Sequence, residues 1–304
     1  MAQWIKDYNA KCKATLNTYG GGGSGKGVTD FISNQVDFAG SDSALKPAQF
    51  VEAKAKRCSG NDAINLPMVT GPIAVSYNLS GVTKLILTPA LLSSIFSGKI
   101  SNWNDSAIAA VNPGVKLPTL AIATIHRSES SGTTDNFTKY LAAAGGWTAE
   151  GGKSWTAPGG TGAQGSDGVA KAIASTTGSI GYVEWGYAKS SNLAIAQIDN
   201  GGGPVELTAA SVGKAVDSAT VVGVGKDLSL KLDYTTKAAG AYPVILVTYE
   251  ILCSAGNPSS SAALLRSFMG YTSTEGQGEL VGLGAAPLPA AIQTKVVAAA
   301  KAIA

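Results

Sequence analysis

The stretch Gly20-Gly21-Gly22-Gly23-Ser24-Gly25-Lys26-Gly27 lies between an extended run, Ala14 to Tyr19, and a helical run, Val28 to Asn34, and a second extended run, Val36 to Ala39, follows. An amphipathic segment from Gln3 to Lys11 precedes it. Helix and strand signals that alternate around a glycine-rich turn predict an α/β fold with a parallel sheet. Further along, Pro47 stands near the start of a helical run that reaches Arg57. Thr88-Pro89 opens another, Ala90 to Ser97, with Gly98 after it. A capping residue, a first-turn proline and a terminal glycine are the ordinary punctuation of helices. Ala143 to Gly168 is rich in Gly, Ser, Thr and Trp and has no clear period, so it reads as a long surface excursion.

The chain has 304 residues, enough for one large domain or two α/β lobes of ordinary size, and two lobes is the working assumption. Hydrophobic residues make up 45% and charged residues 14%, a globular balance rather than a disordered or fibrous one. Two apolar runs, Ile73 to Tyr77 and Val244 to Leu252, fit strands that pass between the lobes. The first lobe would then comprise residues 1–72 plus 248–304 and the second residues 73–247. A single continuous sheet is the alternative that periodicity leaves open.

Several classes of function are disfavoured early. The net charge is only +3 and no Lys/Arg cluster is dense enough to follow a nucleic-acid backbone or an anionic membrane. The single histidine, His126, argues against a Ser-His-Asp triad or a His-rich zinc site. Cys12, Cys58 and Cys253 form no CxxC pair; one disulfide plus one free thiol is allowed, with Cys12 to Cys58 the preferred pairing because both lie near the ends of early helices. No metal or cofactor is expected. No stretch approaches the roughly 18 to 20 continuous apolar residues of a membrane span. The opening residues, with Trp4, Lys6 and Asp7, do not form the apolar core of an export signal.

Three short motifs have the chemistry of an anion site. In the glycine run, GxxxxGK is satisfied, but Gly27 stands where a P-loop needs the Ser or Thr that ligates magnesium. What survives is glycine backbone that lets amides converge on an oxyanion at a helix start, with Ser24 adding a hydroxyl and Gly23 and Gly25 supporting it. A plain glycine-rich turn is the bland reading. In Phe38-Ala39-Gly40-Ser41-Asp42-Ser43, Ser41 and Asp42 either cap the helix near Pro47 or face a ligand. A carboxylate at an anion site accepts a hydrogen bond from a protonated oxyanion such as HPO₄²⁻ and repels sulfate, which carries no proton near neutrality. In His126-Arg127-Ser128-Glu129-Ser130-Ser131-Gly132-Thr133-Thr134, an arginine, hydroxyls and a glycine precede the helix-like Asp135 to Ala144. They supply a forked cation, side-chain donors and free amides, with Glu129 placed to hold Arg127. A surface helix cap with an exposed Arg is the alternative.

These residues resemble the extracytoplasmic phosphate-binding protein of the phosphate-specific ABC transporter (PstS-type, with DING-type relatives) over essentially the whole chain. The resemblance is carried by GSGKG at Gly23 to Gly27, FAGSDS at Phe38 to Ser43 and HRSESSGTTDNF at His126 to Phe137. Further matches are IFSGKISNWND at Ile95 to Asp105, AAVNPGVKLP at Ala109 to Pro118, GSDGVAKAI at Gly165 to Ile173, GSIGYVEWGYA at Gly178 to Ala188 and APLP at Ala286 to Pro289. The resemblance implies a two-lobed type II periplasmic-binding-protein fold that binds inorganic phosphate between its lobes and delivers it to permease subunits. It implies that Ser24 donates, Asp42 accepts the phosphate proton, Arg127 pairs with the oxyanion, and Ser131, Gly132 and Thr133 supply hydroxyl and amide donors, with Glu129 orienting the arginine. Arsenate is expected to compete and a monomer is expected, outside the cytoplasm, held at a membrane only through an N-terminal tether not seen here.

One departure stands out. Family members begin with a strand and a GST-like loop that also touch phosphate, whereas this sequence opens at Met1-Ala2-Gln3-Trp4, inside the helix that should follow. Weakened phosphate affinity and a gap in the first lobe's sheet are the expectations. The rivals are a phosphate-binding surface or sensor protein with no transport role, and a phosphatase or nucleotide hydrolase built on GGGGSGKG. The second lacks an evident base, metal or activated nucleophile.

Overall fold

The strand Ala63–Tyr77 organises the molecule; almost all of its 15 residues are buried. Its first part pairs antiparallel with Ile245–Cys253, Cys253 lying opposite Ala63 and Ile245 opposite Pro72. From Ile73 onward it pairs antiparallel with Ser179–Glu184 instead. The change of partner falls at Pro72, which has no N–H to give to a ladder. The carbonyl of Ile73 accepts the Tyr242 hydroxyl at 2.9 Å. The computed structural model describes residues 1–16 and 19–304.

Among the described residues seven strands make the main sheet, in the order Ala39–Ser41, Ile245–Cys253, Ala63–Tyr77, Ser179–Glu184, Ala123–Arg127 and Thr161–Ala163, with Ala194–Ile195 also on the Tyr77 end. The sheet is mixed. Ala123–Arg127 has parallel neighbours on both sides, whereas every described pairing of Ala39–Ser41, Ile245–Cys253 and Ala63–Tyr77 is antiparallel. The parallel sheet expected from the early alternation is thus replaced there by an antiparallel ladder, because a strand from the far end of the chain inserts beside Ala39–Ser41. That strand is shifted from the expected Val36 to Ala39. Of the extended run Ala14 to Tyr19, Asn17 and Thr18 lie outside the described residues, and the rest carries no strand.

Helices Ala2–Cys12, Pro47–Lys56 and Pro89–Phe96 form where the sequence places them. The helix expected from Val28 begins earlier, as Gly23–Ile32, so Ser24 sits in its first turn. Ala143 to Gly168 lies largely at the surface, as expected, but is anchored and partly regular. Trp147 and Ala157 are buried, Trp155 stacks on His126 with ring centroids 5.0 Å apart, and the strand Thr161–Ala163 and helix Gly165–Ser175 begin within it. Burying indole rings repays ordering a stretch that lacks a period.

One apolar core runs from Ile73 to Leu246 and takes in Ala286; two others combine Trp4, Phe31, Leu66, Ile251, Phe268 and Val296 from both chain ends. Leu228, from the middle of the sequence, joins the terminal side, where its amide donates to the Asn65 carbonyl at 3.0 Å. The disulfide links Cys58 to Cys253, and Cys12 is free and exposed, which corrects the expected Cys12–Cys58 pairing. The ladder brings Cys253 opposite Ala63, a few residues past Cys58, and this long-range register is invisible to local spacing.

Candidate functional site

Three junctions that lead into helices meet at one cavity of about 570 Å³, bordered by Ser24, Asp42, Arg127, Glu129, Ser166, Glu184, Thr248 and Glu250 among others. The first junction is the glycine run. Gly21, Gly22 and Gly23 all have positive φ, a conformation that side chains with a Cβ resist, and this bends the chain into the helix Gly23–Ile32. The tight approach continues inside the helix: the amide of Gly25 donates to the Ser130 carbonyl at 3.1 Å, and a Cβ on Gly23 would lie 2.9 Å from that same carbonyl. Gly25 is therefore a docking point between helix and loop, its amide engaged, rather than a donor to a ligand. Lys26 pairs with Asp30 and does not border the cavity, whereas a P-loop lysine would face the anion.

The second junction follows Ala39–Ser41. Ser41 is buried and closes a local turn, its hydroxyl donating to the Ser43 carbonyl at 2.7 Å. The helix Pro47–Lys56 is entered at Lys46, so neither Ser41 nor Asp42 is its cap. Asp42 instead faces the cavity. Its amide donates to Ser24 Oγ at 3.0 Å, Ser24 Oγ donates to its Oδ2 at 3.3 Å, and Thr248 Oγ1 donates to its Oδ1 at 2.8 Å. Burial raises the Asp42 pKa, opposed by the Thr248 hydrogen bond, the Arg127 charge and the Ser24 hydrogen bond.

The third junction follows Ala123–Arg127. Arg127 is only 6% exposed, which excludes an exposed surface arginine. Its Nε donates to Glu129 Oε1 at 2.7 Å and its Nη2 pairs with the same oxygen, while Nη1 donates to Thr133 Oγ1 and Ser166 Oγ, each at 3.2 Å. Glu129 also accepts the Gly165 amide at 3.1 Å. Burial pushes the Glu129 pKa up, but the Arg127 hydrogen bond and charge outweigh it and hold the carboxyl below its ordinary value. The helix Gly132–Ala144 is capped by Ser131, whose Oγ accepts the Thr134 amide at 3.2 Å. Gly132 meets the first two junctions directly: a Cβ there would come within 2.6 Å of Asp42 Cβ and closer still to Ser24 Oγ.

Ser24, Asp42, Arg127, Gly23 and Glu129 thus border one cavity, and Ser131, Gly132 and Thr133 stand immediately behind it at a helix N-terminus, whose leading amides and partial positive charge favour an anion. Four further residues were not singled out from sequence. Ser166 receives Arg127 and donates to Glu184 Oε1 at 2.8 Å. Thr248 and Glu250, two apart on one strand and so on one face, border the cavity beside an irregularity in the ladder between Thr248 and Tyr249. Burial drives Glu184 up to about 7 and Glu250 up to about 8, with the Asp42 carboxylate adding to both shifts. Ser166 and Glu184 lie inside recognisable sequence stretches, but nothing local marked their side chains; Thr248 and Glu250 carried no signal at all.

Comparisons with known proteins identify the family and the fold. Residues 1–275 match the model of the PBP superfamily domain. The phosphate-binding protein PstS 3 of Mycobacterium tuberculosis is 41% identical over 310 residues, covering all of this chain and 83% of that protein. The phosphate-binding protein PstS of Xylella fastidiosa is 32% identical over 295 residues, covering 95% and 78% respectively. Among solved structures, a high affinity periplasmic phosphate-binding protein (PfluDING) bound with phosphate superposes with a TM-score of 0.77 at 24% identity, covering 94% of this chain and 87% of its own. At that identity the likeness shows the fold, an α/β mixed sheet with flanking helices of the type II periplasmic-binding-protein class.

Proposed function

This chain belongs to the PstS family of phosphate-binding proteins, within the PBP superfamily, and from that premise we propose that it binds inorganic phosphate in the cavity bordered by Ser24, Asp42 and Arg127. The observation that carries the reading is the convergence of Arg127, held by Glu129, with the hydroxyl of Ser24 and the carboxyl of Asp42 on one cavity. Arg127 supplies a fixed, planar charge and its uncommitted Nη2 hydrogen to a phosphate oxygen. Ser24 turns its hydroxyl to another. Asp42 takes the proton of the ligand on Oδ2, its Oδ1 being occupied by Thr248. Ser131, Gly132 and Thr133 contribute donors from the helix start. Sulfate, with no proton to offer, meets an unpaired carboxylate, whereas arsenate matches phosphate in charge and protonation and competes.

Residues 1–72 plus 248–304 form one lobe in this reading and residues 73–247 the other, with the segment around Leu228 riding on the first. The separate apolar cores support the division, and the strands Ala63–Tyr77 and Ile245–Cys253 serve as the crossings. The bound anion is delivered to the permease of an ABC importer, and the protein turns nothing over. The Cys58–Cys253 disulfide favours an oxidising, extracytoplasmic setting. No described helix is long and apolar enough to cross a membrane.

Titration calorimetry of phosphate-stripped protein, with sulfate as control, tests the binding. One-to-one saturation by phosphate alone is expected. Equal heats from sulfate would remove Asp42 as the filter, and no phosphate heat would remove the reading.

A further inference from the structure

An anion site whose charged side chains are mostly acids poses an electrostatic problem. Asp42, Glu129, Glu184 and Glu250 all border the cavity, against the single guanidinium of Arg127. Glu129 is spoken for by that guanidinium. Asp42 holds two hydroxyls. Glu184 and Glu250 are different. Glu184 accepts the Ser166 hydroxyl, and Glu250, 2% exposed, has an oxygen, Oε2, with no hydrogen-bond partner among the described residues. A buried carboxylate without a partner is costly when ionised and cheap when protonated.

Given that the cavity holds phosphate, we propose that Glu184 and Glu250 make binding proton-linked: the protein takes up a proton on these carboxyls as it takes the anion. The acidic and phenolic neighbours oppose ionisation of both carboxyls, and the positive ones favour it. Glu250 sees Asp42 and Tyr19; Glu184 sees Asp42, Tyr19 and Tyr187; and the positive groups nearby are Arg127, already shared with Glu129, and the amino group of Met1. Adding an oxyanion to this set adds repulsion that proton uptake relieves: among the described residues Arg127 is the one side-chain cation that borders the cavity, and the charge of Lys153, outside that border, acts on Asp42. The groups are already poised for it, burial having raised both toward neutrality.

Glu184 has a second part in this. Arg127 Nη1 donates to Ser166 Oγ and Ser166 Oγ donates to Glu184 Oε1, so the only hydrogen of that hydroxyl is committed and its lone pair is turned to the guanidinium. Protonation of Glu184 on its other oxygen leaves this chain intact. The carboxyl can therefore be discharged without releasing Arg127, which makes Glu184 a positioning residue as well as a proton acceptor. Balance is simple: the proton comes from solvent, adds to a carboxylate oxygen and leaves again when the anion departs.

Calorimetric titration with inorganic phosphate near pH 8, in two buffers of different ionisation heat, counts the protons. The expected result is uptake of about one proton per phosphate, and an affinity that falls about tenfold per pH unit above that range. Glu250→Gln and Glu184→Gln should each remove a large part of the uptake while phosphate still binds; the ligand's own ionisation is common to all three proteins and cancels. Phosphate binding with no uptake in the wild-type protein, or unchanged uptake in both variants, overturns the inference and leaves the phosphate reading standing. No binding at any pH overturns both. Should a variant fail to fold, infrared difference spectra of the wild-type protein decide: a protonated-carboxyl band gained on adding phosphate supports the linkage, and its absence refutes it.

Discussion

Asp42 and Ser24 hold each other: the Asp42 amide donates to Ser24 Oγ at 3.0 Å, and the Ser24 hydroxyl donates back to Asp42 Oδ2 at 3.3 Å. The serine proton therefore rests on the oxygen that the ligand proton would need. Phosphate binding exchanges one for the other, with Ser24 turning its hydrogen to a phosphate oxygen and Asp42 Oδ2 accepting from the ligand. A ligand that brings no proton forces Asp42 to face it bare. Replacing Asp42 by Asn gives that position a donor, so sulfate should gain affinity relative to phosphate by about ten- to a hundredfold. Competition calorimetry reads the ratio, and an unchanged rejection of sulfate would place the filter elsewhere.

Arg127 is buried and held on three sides by Glu129, Thr133 and Ser166, so its charge is preorganised and poorly screened. Truncation to Ala should cost about 2–5 kcal/mol of phosphate binding. Glu129→Gln keeps an acceptor for Nε but loses the countercharge, and a smaller loss, on the order of tenfold, is expected. Equal affinity for Arg127→Ala and the wild-type protein would put the arginine outside the site.

The parts of this site legible in the sequence are those built within a few residues of each other. Arg127 and Glu129, the Ser131 cap, and Ser24 at a glycine-rich helix start are local features whose chemistry follows from order along the chain. Ser166, Glu184, Thr248 and Glu250 arrive through sheet register, and local pattern says nothing about which strand from the distant end will lie beside Ala39–Ser41. The same insertion explains two misreadings: it made the early sheet antiparallel and carried Cys253 to Cys58. The anchoring of the Ala143 to Gly168 excursion by Trp147 and Trp155 was not legible, because a stretch without period hides the packing of single large rings.

Gly132 offers a test of close approach that spares the charged groups. A methyl there would be forced against Asp42 Cβ, 2.6 Å away, and against Ser24. Because backbone and a short side chain leave little room to yield, Gly132→Ala should separate the two helix starts and weaken phosphate binding by tenfold or more, through loss of alignment rather than of any donor. A helix start tolerates Ala, so far-ultraviolet circular dichroism should be unchanged. Wild-type affinity in this variant would show that the junctions tolerate spreading.

The Cys58–Cys253 bond ties the helix Pro47–Lys56 to the end of the strand Ile245–Cys253 across a sequence separation of 195 residues. Its removal by Cys58→Ser with Cys253→Ser should cost about 2–5 kcal/mol. Replacing the exposed Cys12 by Ser should change nothing. Thermal unfolding of the three proteins checks both halves, and a matching loss for the Cys12 variant would contradict the pairing.

Stability should also depend on pH through the same buried acids. Below the ordinary carboxyl value of 4.5, Glu184 and Glu250 are protonated in folded and unfolded chains alike, and their contribution is fully present. As pH rises past that value the unfolded chain releases protons that the folded chain keeps, up to about 7 for Glu184 and about 8 for Glu250, so their contribution is progressively lost across this window. Asp42, also raised, acts in the same direction from a lower starting point. Glu129 acts oppositely: its lowered pKa gives stability above 4.5 that is lost on acidification, which confines it to the acid limb. The ligand-free protein should therefore melt lower at pH 8.5 than at pH 5.5. Glu250→Gln, neutral at every pH, should flatten the alkaline fall, since the unfolded variant has no proton to release at that position. A melting profile with the same slope in both proteins would mean that Glu250 is ionised in the fold throughout, with a partner that its buried Oε2 does not have among the described residues.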